Sequence, residues 1–159
     1  MPFVIDGYNL LHSIQKNADT SGPISDVQLC HMIGKYLRIV GDTAEIVFDG
    51  LGPPEKTPFE NIYNADIIFT GTKTDADTII ENKIAANSAP KRLTVISSDN
   101  RIRMAAKVRK AVSLKSEIFW LDLQKKVDDK KTAKEPYQKR QGLSESETDH
   151  WLKIFDLDK

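Results

Sequence analysis

The chain has 159 residues, 40% hydrophobic and 29% charged, and its 23 basic and 23 acidic side chains leave no formal net charge. That length suits one domain with a core of its own plus an appendage, and the charge balance excludes a protein that coats nucleic acid by net charge alone, leaving only local basic patches. The single cysteine, Cys30, excludes an intrachain disulfide and fits a reducing compartment.

Read in chain order, short apolar runs alternate with helical patterns. The first strand is Phe3-Val4-Ile5, and it runs straight into Asp6, Gly7, Tyr8 and Asn9. Ile24 to Val40 carries Leu29, Ile33, Tyr36, Leu37 and Val40 at helical spacing, with Ser25 and Gln28 as a capping box. Cys30 lies within this apolar stretch and reads as a small core residue. Ala44 to Phe48 and Ala65 to Phe69 read as buried strands, separated by a loop, GLGPPEKTP, over 50–58. A helix from Asp77 to Ala86 carries Ile79, Ile80 and Ile84. Then come a strand from Leu93 to Ile96, a helix from Asn100 to Lys110 with Ile102, Met104 and Val108 inward, and a strand from Ala111 to Leu114. Ser116 opens a further helix with Ile118, Leu121 and Val127 inward. Strand–helix alternation with β-branched strands predicts an α/β fold: a parallel sheet covered by helices on both faces.

Beyond residue 126 the alternation stops. Residues 125–142 hold seven Lys or Arg against three Asp or Glu, so 127–142 reads as a basic polar linker. Residues 143–159 read as a short terminal helix, capped by Ser144 and Glu147. Its Leu143, Trp151, Leu152, Ile154 and Phe155 call for docking on the domain or on another subunit, which allows a homo-oligomer. No apolar run approaches the ~18 residues of a membrane span, and nothing resembles a signal peptide. The expected address is the cytoplasm.

Ligands of parallel sheets bind outside the carboxyl ends of the strands. In this chain those ends carry acid: Asp6 after the first strand, Asp49 after the second, Asp75 and Asp77 after the third, and Asp99 after the fourth. Each acid alone could be a helix cap or a turn residue. Together they would repel one another unless a cation were present. Oxygen donors without His or Cys suit Mg²⁺ or Mn²⁺ and not zinc. A haloacid-dehalogenase-type phosphatase needs a second Asp two residues after the first, where this chain has Tyr8. GLGPPE has only the first two glycines of a dinucleotide fingerprint, and neither a P-loop nor a G-x-S-x-G elbow occurs.

Taken in order, VIDGYNLLH, VFDG, TDADTIIE and VISSD resemble the NYN domain, and within it the YacP-like group of PIN-like ribonucleases. The resemblance runs from about Pro2 to Lys126, so the nuclease-like domain is expected over 1–126. It implies a PIN-like three-layer α/β/α sandwich around a central parallel sheet, and Mg²⁺- or Mn²⁺-dependent endonucleolytic cleavage of RNA leaving a 5′-phosphate. By position, Asp6, Asp77 and Asp99 match the metal-binding acids. Asn9 matches the residue after D-G-Y, expected to orient the first acid or touch the substrate, and Asp49 matches an acid at the rim. Asp75 is an acid the pattern does not require, a cap or an outer ligand. Glu81, four residues after Asp77 and on the same helical face, is a ligand or hydrogen-bond support.

RNA, free or in a ribosome or other ribonucleoprotein, is the expected partner. Arg101, Arg103 and Lys107, in a basic run that reaches Lys115, form either a phosphate-tracking flank or a solvated helix face. Lys73 in the GTKTD loop is a further candidate. Tyr8 could stack on a base or pack beneath its loop. Two readings follow: a metal-dependent endoribonuclease, and a PIN-like RNA-binding or assembly module without catalysis.

Overall fold

The computed structural model describes residues 2–17 and 24–140, with side chains as far as Lys130. The chain divides into two units, 1–121 and 122–159. The first is built on five parallel strands: β1 (Phe3–Asp6), β2 (Ala44–Phe48), β3 (Ala65–Phe69), β4 (Thr94–Ile96) and β5 (Val112–Leu114), in the order β3-β2-β1-β4-β5. β1 is central, as a fully buried FVID strand requires. The order reverses direction between β1 and β4, and the crevice at such a switch point is where an open parallel sheet offers a site.

The sequence expectation for the strands holds to within a residue. Among the helices, α2 (Asp26–Val40), α3 (Ala76–Ala86), α4 (Asn100–Val108) and α5, which starts at Ser116, also stand where the periodicity put them. The α2 capping box is complete: Gln28 N–H donates to Ser25 Oγ at 3.1 Å, and Ser25 N–H donates to Gln28 Oε1 at 2.8 Å. α1 (Gly7–Asn17) has no counterpart in the sequence reading. It begins directly where β1 ends, with no intervening loop. Gly7 is therefore not a turn glycine. An alanine Cβ there would stand 2.5 Å from ring carbons of Phe48, so the glycine is required by close approach of the ring.

Alternation along β1 assigns its side chains to two layers. Phe3 packs with Tyr36 of α2 and Phe119 of α5, at ring-centroid distances of 5.9 and 5.7 Å. Val4 faces the other way, into a core with Val47, Ile80, Ile84, Val95, Ile102 and Ala106 from the α3 and α4 side. Asp6 shares the parity of Val4 and so belongs to the α3 and α4 side. The helices on both faces make the expected three-layer sandwich.

Four inward assignments change. On α4 the buried residues are Ile102 and Ala106, whereas Met104 and Val108 are 60% and 77% exposed. Ile102 and Ala106, four residues apart, share the core-facing side of α4, which leaves Met104 and Val108 on the outer side. α4 ends at Val108, two residues short of the expected end, and Lys110 takes a left-handed φ of 63°. At the start of α5, Phe119 is buried while Ile118 and Leu121 are exposed. In the second unit, α5 continues to Arg140 through much of the expected linker. Lys and Glu are good helix formers, and Lys126 pairs with Asp122 one turn earlier at 2.8 Å. The expected helix over 143–159, and any self-association through it, lie outside the described residues. No helix among the described residues is long and apolar enough to cross a membrane.

The contact between Gly7 and Phe48 makes a direct prediction. Gly7→Ala lowers unfolding free energy by about 1–3 kcal/mol through overpacking, although Gly-to-Ala in a helix ordinarily stabilises. Urea denaturation in wild-type and Phe48→Leu backgrounds checks it: the loss shrinks in the leucine background. An equal loss in both would assign the cost elsewhere.

Candidate active site

Asp6 ends the central strand and opens α1. Its side chain is buried, with Oδ2 accepting from the hydroxyl of Ser97 at 3.0 Å. The backbone N–H of Asn9 also donates to this carboxylate, so Asp6 caps the helix that follows it. Ser97 is itself fully buried, and its Oγ accepts from the backbone N–H of Asp99 at 3.1 Å. A short relay therefore joins the ends of β1 and β4: Asp99 N–H to Ser97 to Asp6.

Asp99 caps α4, with Oδ1 accepting from Arg101 N–H at 2.8 Å and Ile102 N–H at 3.3 Å. Asp77 lies in the first turn of α3. Three helix N-termini, those of α1, α3 and α4, thus bring carboxylates to the carboxyl edge of the sheet. The partial positive charge of each helix end favours the acids there. It does not cancel their crowding. Burial pushes the Asp6 carboxyl up to about 6; the bonds from Ser97 and Asn9 oppose the rise, and Asp77 and Asp99 add to it. Asp77 is also raised, by burial first and by Asp99 next, with Arg101 pulling the other way. The sequence-predicted trio of Asp6, Asp77 and Asp99 is thus near enough for each to influence another.

The other expected residues sort differently. Asp75 caps α3: Thr78 N–H donates to its Oδ1 at 2.8 Å, and the Thr78 hydroxyl and backbone hold Asp75 below the usual carboxylate range. Asp49 accepts from Ala76 N–H at 3.1 Å and from the Thr70 hydroxyl at 3.4 Å, tying the end of β2 to the start of α3. Glu81 is held by Arg101, whose Nε and Nη2 donate to its two oxygens at 3.0 and 2.7 Å. Arg101 is therefore not an unengaged phosphate ligand. Arg103 is half-buried, and Lys107 and Lys73 are exposed.

Asn9 meets the Asp6 carboxylate through its backbone N–H, while its side chain turns to the loop after β4. Its Oδ1 accepts from Ser98 N–H at 2.9 Å and from the Ser116 hydroxyl at 2.6 Å. Ser98 in turn donates through its hydroxyl to Glu117 and accepts from Ser116 N–H at 3.0 Å. Asn9 thus pins the loop that carries Ser97 and Asp99 against the start of α5. The sequence reading missed Ser97, Ser116 and Glu117. Ser97 had a signal, as the first serine of the S-S-D run; Ser116 and Glu117 had only their place after the last strand.

Tyr8 stands beside this edge, 36% exposed, with its ring edge-on to Phe48 at 4.8 Å. Burial raises its hydroxyl pKa, with Asp26 and Asp49 adding to the rise. Burial also pushes the Cys30 thiol up to about 12, in keeping with a core residue and not a nucleophile.

The profile of the YacP-like NYN domain matches residues 3–156, nearly the whole chain. The chain belongs to the YacP-like NYN domain family. Members share a nuclease-like fold associated with RNA. Two crystal structures of Rae1 (YacP) from Bacillus subtilis superpose on this one. A tryptophan-to-leucine variant gives a TM-score of 0.63 at 18% identity, covering 84% of this chain and 82% of that one. The other gives 0.62 at 18% identity, covering 98% and 92%. The likeness establishes the fold. A comparison with curated proteins gives no match.

Family nucleases generally use divalent metals, so the donor set can be tested against one. Asp6, Asp77 and Asp99 offer only oxygen, which suits a hard divalent cation. Among the described residues, however, no three acidic, histidine or cysteine side chains are spaced to enclose an ion as they stand. Mg²⁺ commonly takes only one or two carboxylates and completes its shell with water, so the donor chemistry fits while the cage is incomplete.

The raised Asp6 pKa predicts a pH effect on stability. The folded protein holds this proton more tightly than the unfolded chain, whose Asp titrates near 3.8. Stability is therefore lost as pH rises from about 4 through about 6, by about 3 kcal/mol. In EDTA, Asp6→Asn, which keeps an acceptor for Ser97 and a good cap, melts higher than wild type at pH 8. The gap closes below pH 4. A pH-independent difference in melting temperature would contradict the assignment.

Proposed function

We propose that the chain is a divalent-metal-dependent endoribonuclease acting at the carboxyl edge of its sheet. The observation that carries the reading is the convergence of Asp6, Asp77 and Asp99, from three distant parts of the chain, at the first turns of three helices on one sheet edge, where Asp77 and Asp99 both disfavour the charged form of Asp6. A carboxylate buried beside two others calls for positive charge nearby.

Asp6, Asp77 and Asp99 would hold Mg²⁺ or Mn²⁺. Such an ion supplies an acidified water and neutralises charge on a scissile phosphate and its leaving oxygen. The chain's own residues do the positioning. Ser97 fixes the rotamer of Asp6 by donating to Oδ2. Asp99 is held at the first turn of α4 by two backbone donors. Asn9 fixes the loop between them. The N-termini of α1, α3 and α4 add preorganised positive potential where a phosphodiester would lie. Nothing here needs a covalent nucleophile. Arg103, Lys107 and Lys73 are the basic side chains we assign to the RNA backbone, with the RNA free or carried in a ribonucleoprotein, in the cytoplasm.

The second reading, an RNA-binding or assembly module without catalysis, draws on the absence among the described residues of a ready-made metal cage. One experiment separates the two. Labelled single-stranded and structured RNA is incubated with Mn²⁺ or Mg²⁺, then with EDTA. The nuclease reading expects cleavage to 5′-phosphate ends, abolished by EDTA. Asp6→Asn, Asp77→Asn and Asp99→Asn should each lower kcat by at least about a hundredfold. Asn caps helices as well as Asp does, so loss of activity without a lowered melting temperature reports chemistry. RNA binding without metal-dependent cleavage would favour the second reading.

A further inference from the structure

Arg101 leaves the first turn of α4 and reaches across to α3. Its Nε and Nη2 donate to Glu81 Oε2 and Oε1 at 3.0 and 2.7 Å, and Nη2 is 3.5 Å from Thr78 Oγ1. Its Nη1 stands 3.8 Å from Asp77 Oδ2. The guanidinium is thus turned as a whole onto the first two turns of α3. Among the described residues, no other Lys or Arg pairs with Asp6, Asp77, Asp99 or Glu81.

An ordinary surface pair would hold one acid. This one is a bidentate fork, in which the planar guanidinium matches both oxygens of Glu81 and fixes its own orientation. The fixed orientation puts the remaining nitrogen toward Asp77, a member of the proposed metal-binding trio. A divalent cation approaching Asp77 meets a positive charge already beside it.

We propose that Arg101 is the resident counter-ion of this edge, that it competes with a divalent cation for Asp77, and that Glu81 is the clamp that holds it there and not a metal ligand. The proposal rests on the metal-dependent reading above. In it Arg101 and Glu81 are positioning residues: they set how tightly the carboxylates bind a cation and take no part in the chemistry.

The test is Mn²⁺ binding to the full chain without RNA, followed by calorimetry and by the loss of the free-ion electron paramagnetic resonance signal. Arg101→Met binds Mn²⁺ roughly tenfold more tightly than wild type, the scale set by one unit charge at about 4 Å in a partly exposed site. Lys115→Met removes a positive charge at the same sheet edge, at the end of β5, and changes affinity by less than about threefold. Arg101→Lys keeps the charge, loses the fork and falls between the two. Glu81→Gln weakens binding in the wild-type background by releasing Arg101 onto Asp77, and has little effect in the Arg101→Met background.

Other outcomes overturn the proposal. Equal tightening by Lys115→Met and Arg101→Met would reduce the effect to overall charge. An equal loss from Glu81→Gln in both backgrounds would make Glu81 a ligand. Wild-type binding with no gain in Arg101→Met or Arg101→Lys would refute the competition and leave the metal reading intact. Absence of Mn²⁺ binding in every folded variant would remove the metal reading as well. Thermal melts in EDTA identify the folded variants. A loss of stability in Arg101→Met that is equal with and without Mn²⁺ would reduce Arg101 to a staple between α3 and α4.

Discussion

Burying a carboxylate at the end of the central strand costs free energy, and much of the surrounding structure compensates for that cost. A parallel sheet offers no choice about where strand ends go: all of them arrive at one edge. Asp6 arrives at the middle of that edge, covered on the α3 and α4 side, and its charged form is disfavoured by burial before any neighbour is considered. The fold answers with donors, a hydroxyl from Ser97 and a backbone N–H from Asn9, and with the positive ends of three helices. Those measures leave the carboxyl well above its ordinary range. The remaining deficit is what a cation would supply.

Capping and metal binding are usually weighed as rival explanations of an Asp before a helix. At this edge they are compatible for Asp6 and Asp99. Each caps its helix and so has its carboxylate fixed by backbone donors. A fixed carboxylate loses less entropy on meeting an ion than one on a mobile side chain. Asp75 is different, because it is exposed and its contacts are fully explained by Thr78. Asp49 is different again: Thr70 and Ala76, which donate to it, flank the segment between β3 and α3. Its contribution is to hold α3, and hence Asp77, in place.

The sheet and four of the five helices were legible in the sequence because their signals are local. β-branched runs such as Ala44–Phe48 and capping pairs such as Ser25 with Gln28 need no tertiary information. α1 was hidden because the acid, glycine, tyrosine and asparagine at its start read as a loop. The reason for Gly7 lies on another strand, in the ring of Phe48. The inward face of α4 was misread in part. Ile102 does face the core, but its face continues to the small Ala106 one turn on, and Met104 and Val108 lie away from it. At the site, the motif order picked out the acids that influence one another. It could not reveal their partners, since Ser97 to Asp6 spans 91 residues and Ser116 to Asn9 spans 107.

Asn9 and Arg101 carry the same lesson about polar residues near a site. Motif position alone would set Asn9 to orient the first acid or touch the substrate, and Arg101 against a phosphate. The backbone N–H of Asn9 does meet Asp6, and the side-chain hydrogen bonds give each residue a further role. Asn9 joins α1, the loop after β4 and the start of α5, while Arg101 joins α4 to α3. Between them they fix both elements that carry Asp99 and Asp77 relative to the strand that carries Asp6. A cluster of like charges cannot hold itself together, because each member gains by moving away. Its geometry has to be imposed by groups that are neutral or oppositely charged, and in this fold those groups are an asparagine, three serines and one arginine.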